Sequence, residues 1–164
     1  MTQIVTAIAP PDVSQILPGS GFVDAFEISI EQQCNASSVA RNMMASIPRW
    51  VDGLMLLRNT LVTPFGLKAD IAALPQEHEH LGMFPVISET PDRVVMGFDD
   101  KHLDFRVILE CSATPNGPAK VSLATAVRSH NLFGRVYLAI VLPFHRMIVP
   151  AMLRSAAARL AAAG

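Results

Sequence analysis

The sequence is poor in charged side chains. Asp, Glu, Lys and Arg make up 16% of its 164 residues, whereas an average soluble domain contains about 25%. Apolar residues reach 51%, and a single domain of this length does not easily hide so many in a solid core. The surplus is expected to line an internal cavity, form a subunit interface or remain exposed as a patch.

Clusters of positive charge are also missing, since the 13 basic residues are scattered singly and the net charge is −1. Electrostatic binding to nucleic acid or to an acidic membrane needs clustered Lys and Arg, so neither partner is expected. The longest unbroken apolar run, Val136 to Phe144, is about half of the ~20 residues that span a bilayer. Residues Met1 to Val13 carry no basic region and meet Pro10-Pro11 too early for a signal peptide. We therefore expect a soluble, cytoplasmic protein without integral membrane association.

Metal-ligand and catalytic signatures are absent as well. The two cysteines, Cys34 and Cys111, have no metal or redox spacing, and we expect both to be reduced, Cys111 in the core and Cys34 in a loop. The tract Glu77-His78-Glu79-His80 offers two histidines but no third ligand, so a solvated loop is favoured over zinc. No nucleophile elbow, phosphate-binding glycine loop or dinucleotide fingerprint occurs. No metal and no cofactor are predicted.

Residues 1 to 21 are rich in proline and lack a clear period, which predicts an extended arm before one domain at 22 to 164. Phe22 to Glu31 alternates as a half-buried strand. Asn35 offers the N-cap of a short helix that Pro48 ends. A second short helix then buries four apolar side chains: Trp50, Leu54, Leu57 and Leu61.

From Leu81 onward the period changes to two, and short turns separate four predicted strands, at 83–90, 93–99, 103–112 and 119–130. Gly134 to Ala163 has helical spacing, with a kink expected near Pro143. A strand from Arg135 to Leu142 is the alternative, because that stretch is rich in β-forming residues. The order predicts an α+β fold, a curved antiparallel sheet wrapped around a long C-terminal helix, with two short helices after the first strand.

Three motifs of the C-terminal third resemble a known bacterial family: Ser129-His130-Asn131, Gly134-Arg135-Val136-Tyr137 and Pro143-Phe144-His145-Arg146. The chain resembles the uncharacterised family called domain of unknown function 2867, which is similar to the START-like (SRPBCC) helix-grip superfamily. The resemblance implies a cavity between the sheet and the long helix. Members of that superfamily bind lipids, sterols, aromatic polyketides or hormones, and some are cyclases.

Tyr137 and His145 are the main candidate site residues, since they lie eight residues, or about 12 Å, apart on the C-terminal helix. Both would serve as polar anchors in an apolar pocket. The alternative is a structural histidine bonded to the backbone and a tyrosine whose hydroxyl reaches the rim. His130-Asn131 with Gly134 is better explained as a strand-to-helix turn. The expected apolar lining of the ligand site is Val141, Met152, Phe105 and Trp50.

Three functions remain open from the sequence. The first is binding of a small hydrophobic ligand, identity unknown, between the sheet and the C-terminal helix. The second is an enzyme of the cyclase, isomerase or hydrolase type that uses His145 and Tyr137 for proton transfer. The third is a non-enzymatic interaction protein that buries its apolar surplus in a homodimer.

Overall fold

A computed structural model describes residues 4–45, 47, 79–82, 84–115 and 117–163. The chain forms seven strands and two helices in this part: β1 (Val5–Ala7), β2 (Phe22–Ile30), α1 (Ala36–Met44), β3 (His80–Leu81), β4 (Phe84–Glu89), β5 (Arg93–Asp99), β6 (Leu103–Ser112), β7 (Ala119–Ser129) and α2 (Leu132–Ala163).

The strands form one open antiparallel sheet in the order β1-β2-β7-β6-β5-β4-β3. The long helix α2 and the short helix α1 lie on one of its faces, which is consistent with the predicted helix-grip architecture. The α+β fold and the antiparallel meander are therefore confirmed. Alternation of apolar residues located the five long strands, whereas β1 and β3 are only three and two residues long and were missed.

The first predicted short helix is confirmed as α1. Asn35 caps it, with its side-chain oxygen accepting hydrogen bonds from the backbone N–H groups of Ser37 and Ser38 at 2.9 and 3.3 Å. The second predicted helix, with Trp50, lies outside the described residues. The C-terminal tail is helical from Leu132 to Ala163 and continues through both of its prolines, so the alternative strand at 135–142 is wrong.

The main hydrophobic core lies between the concave face of the sheet and the two helices. From the sheet it takes side chains such as Ile28, Met96 and Leu109, and from α1 it takes Val39 and Met43. The second half of α2 closes it with five buried residues: Val149, Met152, Leu153, Ala156 and Ala157. The C-terminal part of α2 is therefore firmly docked.

A second, smaller core lies on the convex face of the sheet. The N-terminal segment crosses this face and buries Val13 and Leu17 against five small or branched side chains of the sheet: Ala25, Val95, Ile108, Ala124 and Ala126. Part of the apolar surplus of the composition is used here. Both faces of the sheet are covered, one by helices and one by the predicted arm.

Asp104 helps to fix the arm to the sheet. This buried carboxylate accepts hydrogen bonds from Arg128 at 2.6 Å and His130 at 2.9 Å, and Arg128 also donates to the Pro18 carbonyl at 3.0 Å. Burial raises the pKa of Asp104, but the hydrogen bonds and charges of His130 and Arg128 outweigh it and hold that pKa below its ordinary value. The carboxylate therefore stays ionised at neutral pH.

The start of α2 is built by Asn131 and Gly134, as predicted for a strand-to-helix turn. The Asn131 side-chain oxygen accepts the Gly134 N–H at 2.9 Å, which is an N-cap contact to the third helical residue. Gly134 is needed because a Cβ at this position would overlap the carbonyl oxygen of His102 in the β5–β6 turn. The motif that carries the family resemblance is thus partly structural.

Replacing Gly134 with Ala should lower the free energy of unfolding by about 1–3 kcal/mol, since the new methyl group forces apart the helix start and the β5–β6 turn. Gly21→Ala is the matched control, because nothing lies within 4 Å of a Cβ at that position. Urea denaturation of both variants measures the difference. Equal stabilities for the two variants would contradict the close approach at Gly134.

Candidate functional site

The first half of α2 covers the concave face less tightly than the second half. Among residues 132–148, Gly134 alone is buried, and the side chains turned to the sheet are half-buried: Phe133, Tyr137, Leu138, Val141, His145 and Ile148. From Val149 to Ala157 the residues facing the sheet are buried. The candidate site lies beneath this first half of the helix.

A row of apolar side chains crosses the sheet at this place. Strand pairing puts Phe22, Val127, Phe105 and Phe98 side by side on the concave face, and the three phenylalanines are half-buried. The rings of Phe98 and Phe105 meet edge to face with centroids 4.5 Å apart, and Phe84 packs against Phe105 at 5.3 Å. This aromatic row offers apolar contact surface to a bound molecule.

The next row across the sheet brings two polar side chains into the same apolar surroundings. Asp24 and Thr125 are direct neighbours across β2 and β7, so both point to the concave face. From above, His145 of α2 reaches Asp24 Oδ1 with its Nε2 at 3.1 Å. The His145 ring also lies edge to face with Phe22, with centroids 6.4 Å apart.

Two oxygen atoms of this polar row lack hydrogen-bond partners in the described part of the chain. They are Asp24 Oδ2 and Thr125 Oγ1, and both atoms are buried. Thr125 as a whole is only 6% exposed. A buried polar atom without a partner costs about 1–3 kcal/mol, and buried polar groups of native proteins are nearly always satisfied. Both oxygens are therefore able to form hydrogen bonds with a polar group from outside the chain.

The predicted site residues divide into three groups. Tyr137, Val141 and His145 all lie on the loosely covered half of α2, and Phe105 belongs to the aromatic row opposite. Met152 lies about two helical turns beyond His145 and is buried in the packed core. Trp50 lies outside the described residues. That any of the six touches a ligand stays a prediction.

Sequence reasoning missed Asp24 and Thr125, although a signal for both was present. Asp24 interrupts the alternation of Phe22, Phe26 and Ile28 on the inner face of β2, and Thr125 stands between Leu123 and Val127 on β7. A polar residue at an inward position of a buried strand is unusual and marks a partner or a site. The strand pairing that places the two side by side could not be read from the chain alone.

The two cysteines contribute no polar group to this site. Burial, together with the neighbouring thiol of Cys34, raises the pKa of Cys111 well above its ordinary value. Cys111 is therefore a protonated core thiol. Across residues 4–45, 47, 79–82, 84–115 and 117–163, no cluster of three His, Cys, Asp or Glu side chains could hold a metal ion.

Comparison with known families gives one match. The model of a family described as "Protein of unknown function (DUF2867)" matches residues 16–152, which include Asp24, Thr125 and His145. Neither the curated proteins nor the solved structures contain a match to the chain. The resemblance to the START-like superfamily therefore stays a prediction.

Thr125→Val should leave the free energy of unfolding of the ligand-free protein unchanged or raise it by about 1 kcal/mol, because the lost hydroxyl has no hydrogen-bond partner among the described residues. Thr90→Val is the matched control, since the Thr90 hydroxyl bonds both the N–H and the carbonyl of Arg93. That substitution should cost about 0.5–1.5 kcal/mol. Chemical denaturation after removal of bound molecules measures the free energy of unfolding of both variants. If Thr125→Val lowers it as much as Thr90→Val does, the Thr125 hydroxyl already has a hydrogen-bond partner in the protein.

Proposed function

We propose that this chain, which belongs to the family described as Protein of unknown function (DUF2867), binds a small and mainly apolar ligand. The ligand lies between the concave face of the sheet and the first half of α2. The proposal rests on two buried oxygens, one on Asp24 and one on Thr125, that have no hydrogen-bond partner within the described part of the chain. They lie beside the half-buried aromatic row. An apolar site with a few converging polar groups is the usual form of a small-molecule site.

The polar row indicates which chemical group the ligand carries. An ionised carboxylate can only accept hydrogen bonds, whereas a threonine hydroxyl can accept or donate one. A ligand that satisfies both must therefore present a donor to Asp24 Oδ2, such as a hydroxyl or an amine. The rest of the ligand contacts phenylalanine rings and is expected to be apolar.

His145 acts as a positioning residue in this proposal. Its Nε2 bonds Asp24 Oδ1, which leaves the other carboxylate oxygen directed to the ligand. The same contact holds the first half of α2 against the sheet. This half has few buried side chains that could hold it there. Loss of His145 is therefore expected to affect both the orientation of Asp24 and the cover of the site.

An enzymatic role remains the second hypothesis from the sequence. Asp24 orients the His145 imidazole in the way a carboxylate orients a general base. The proton-transfer role of Tyr137 and His145 stays a prediction, because the described geometry has no reacting group beside them. Binding requires only the contacts already described, and it is the function we favour.

The proposal is tested by mass spectrometry of an organic extract from the purified protein. We expect a copurifying molecule with an apolar body and a hydroxyl or amine group. Thr125→Val should reduce its occupancy, and the affinity for the purified compound should fall about tenfold, which corresponds to one hydrogen bond of about 1.4 kcal/mol. Thr90→Val, which changes a hydroxyl in the β4–β5 turn, should leave both unchanged.

Two results would overturn the proposal. One is an extract without any stoichiometric small molecule, together with no uptake of an apolar fluorescent dye by the extracted protein. The other is a bound molecule whose affinity responds equally to Thr125→Val and Thr90→Val. That second result would place the ligand away from the polar row.

A further inference from the structure

The outer side of α2 carries a continuous stripe of exposed apolar residues. The outer stripe consists of Leu132, Val136, Ile140, Phe144 and Met147, with exposures between 37% and 74%. They recur at four- and three-residue intervals and so share one side of the helix. From Leu132 to Met147 the stripe is about 22 Å long. The side chains that face the sheet, such as Val141 and His145, lie on the other side.

From this stripe we propose that α2 docks in the plane of an anionic lipid surface, with the outer stripe inserted among the acyl chains. The proposal goes beyond ligand binding and does not depend on it. A helix with an apolar face and positively charged flanks is the form that lies in a membrane interface.

The positive charge of α2 favours an anionic lipid surface as its partner. Residues 132–164 contain four arginines and no Asp or Glu. Arg135 and Arg146 are exposed next to the stripe, and Arg154 is exposed about two turns beyond its end. Basic residues that are scattered in the sequence thus come together along one helix. Each basic residue near an anionic membrane contributes to attraction.

Carboxylates beside the start of the helix are largely neutralised by arginines of the sheet. In the β5–β6 hairpin, which adjoins Gly134, Asp99 pairs with Arg106 at 2.7 Å and Asp104 with Arg128 at 2.6 Å. Among the described residues, no ion pair uses an arginine of α2. The positive charges of the helix therefore remain available to a lipid surface.

A second copy of the chain fits this face less well. Antiparallel pairing of two such helices would bring arginines of both copies together without an acidic residue between them. An anionic lipid surface supplies the negative charge that a second copy of this helix lacks.

The helix lies on the surface and does not span the bilayer in this proposal. By length and composition, Leu132–Ala162 could cross a membrane, and 17% of its most apolar window is buried. Its second half, however, closes the main core with Leu153, Ala156 and Ala157. Spanning would remove these side chains from the core, whereas docking uses only residues that are already exposed.

Flotation of the full chain with vesicles tests the proposal. We expect it to float with vesicles of phosphatidylcholine and phosphatidylglycerol, and more weakly with phosphatidylcholine alone or at high salt. Ile140→Asp should reduce partitioning about tenfold or more. Ile87→Asp is the matched control, because Ile87 is 50% exposed against 51% for Ile140 but lies on β4. Thermal unfolding followed by circular dichroism checks that both variants fold.

Three outcomes would overturn the proposal. The chain could fail to float with either kind of vesicle. Ile140→Asp and Ile87→Asp could lower flotation equally. Sedimentation could show a dimer in the absence of lipid that Ile140→Asp dissociates, which would assign the outer stripe to a second copy.

Discussion

The hydrogen bond between His145 and Asp24 joins the C-terminal helix to the sheet at the point where close packing begins. From Val149 toward the C-terminus, the helix is fixed by buried side chains against the sheet and α1. From His145 toward the N-terminus, the side chains that face the sheet are only half-buried, and Asn131 and Gly134 fix the far end. The second half of α2 is therefore closely packed, whereas its first half is fixed only at its two ends. The candidate site lies under the first half.

This arrangement accounts for the unusual composition. The apolar surplus is distributed over three places: the convex core closed by Val13 and Leu17, the half-covered aromatic row, and the outer stripe of α2. From composition alone, a cavity, an interface and an exposed patch are the alternatives. In the structure a half-covered face and an exposed patch occur together, on opposite sides of the same helix, and the N-terminal arm uses a further share.

Much of the fold could be predicted because local patterns determine it. Strict alternation predicted β5 and β6 at their observed ends, and Asn35 and Asn131 act as the caps that their residue type favours. The arm's packing was not predicted, because Val13 and Leu17 carry no period and are buried only by distant strands. Asp24 and Thr125 were missed for a similar reason, since their proximity depends on the pairing of β2 with β7, about 100 residues apart in the chain.

Hydrogen–deuterium exchange along α2, measured on the extracted, lipid-free protein, tests the unequal docking of this helix most directly. The account predicts that amides of residues 136–147 exchange through local opening, with a free energy about 2 kcal/mol or more below that of global unfolding. Amides of residues 152–160 should exchange only with global unfolding. Equal protection along the whole helix would contradict the account, because it would mean that the first half is packed as firmly as the second.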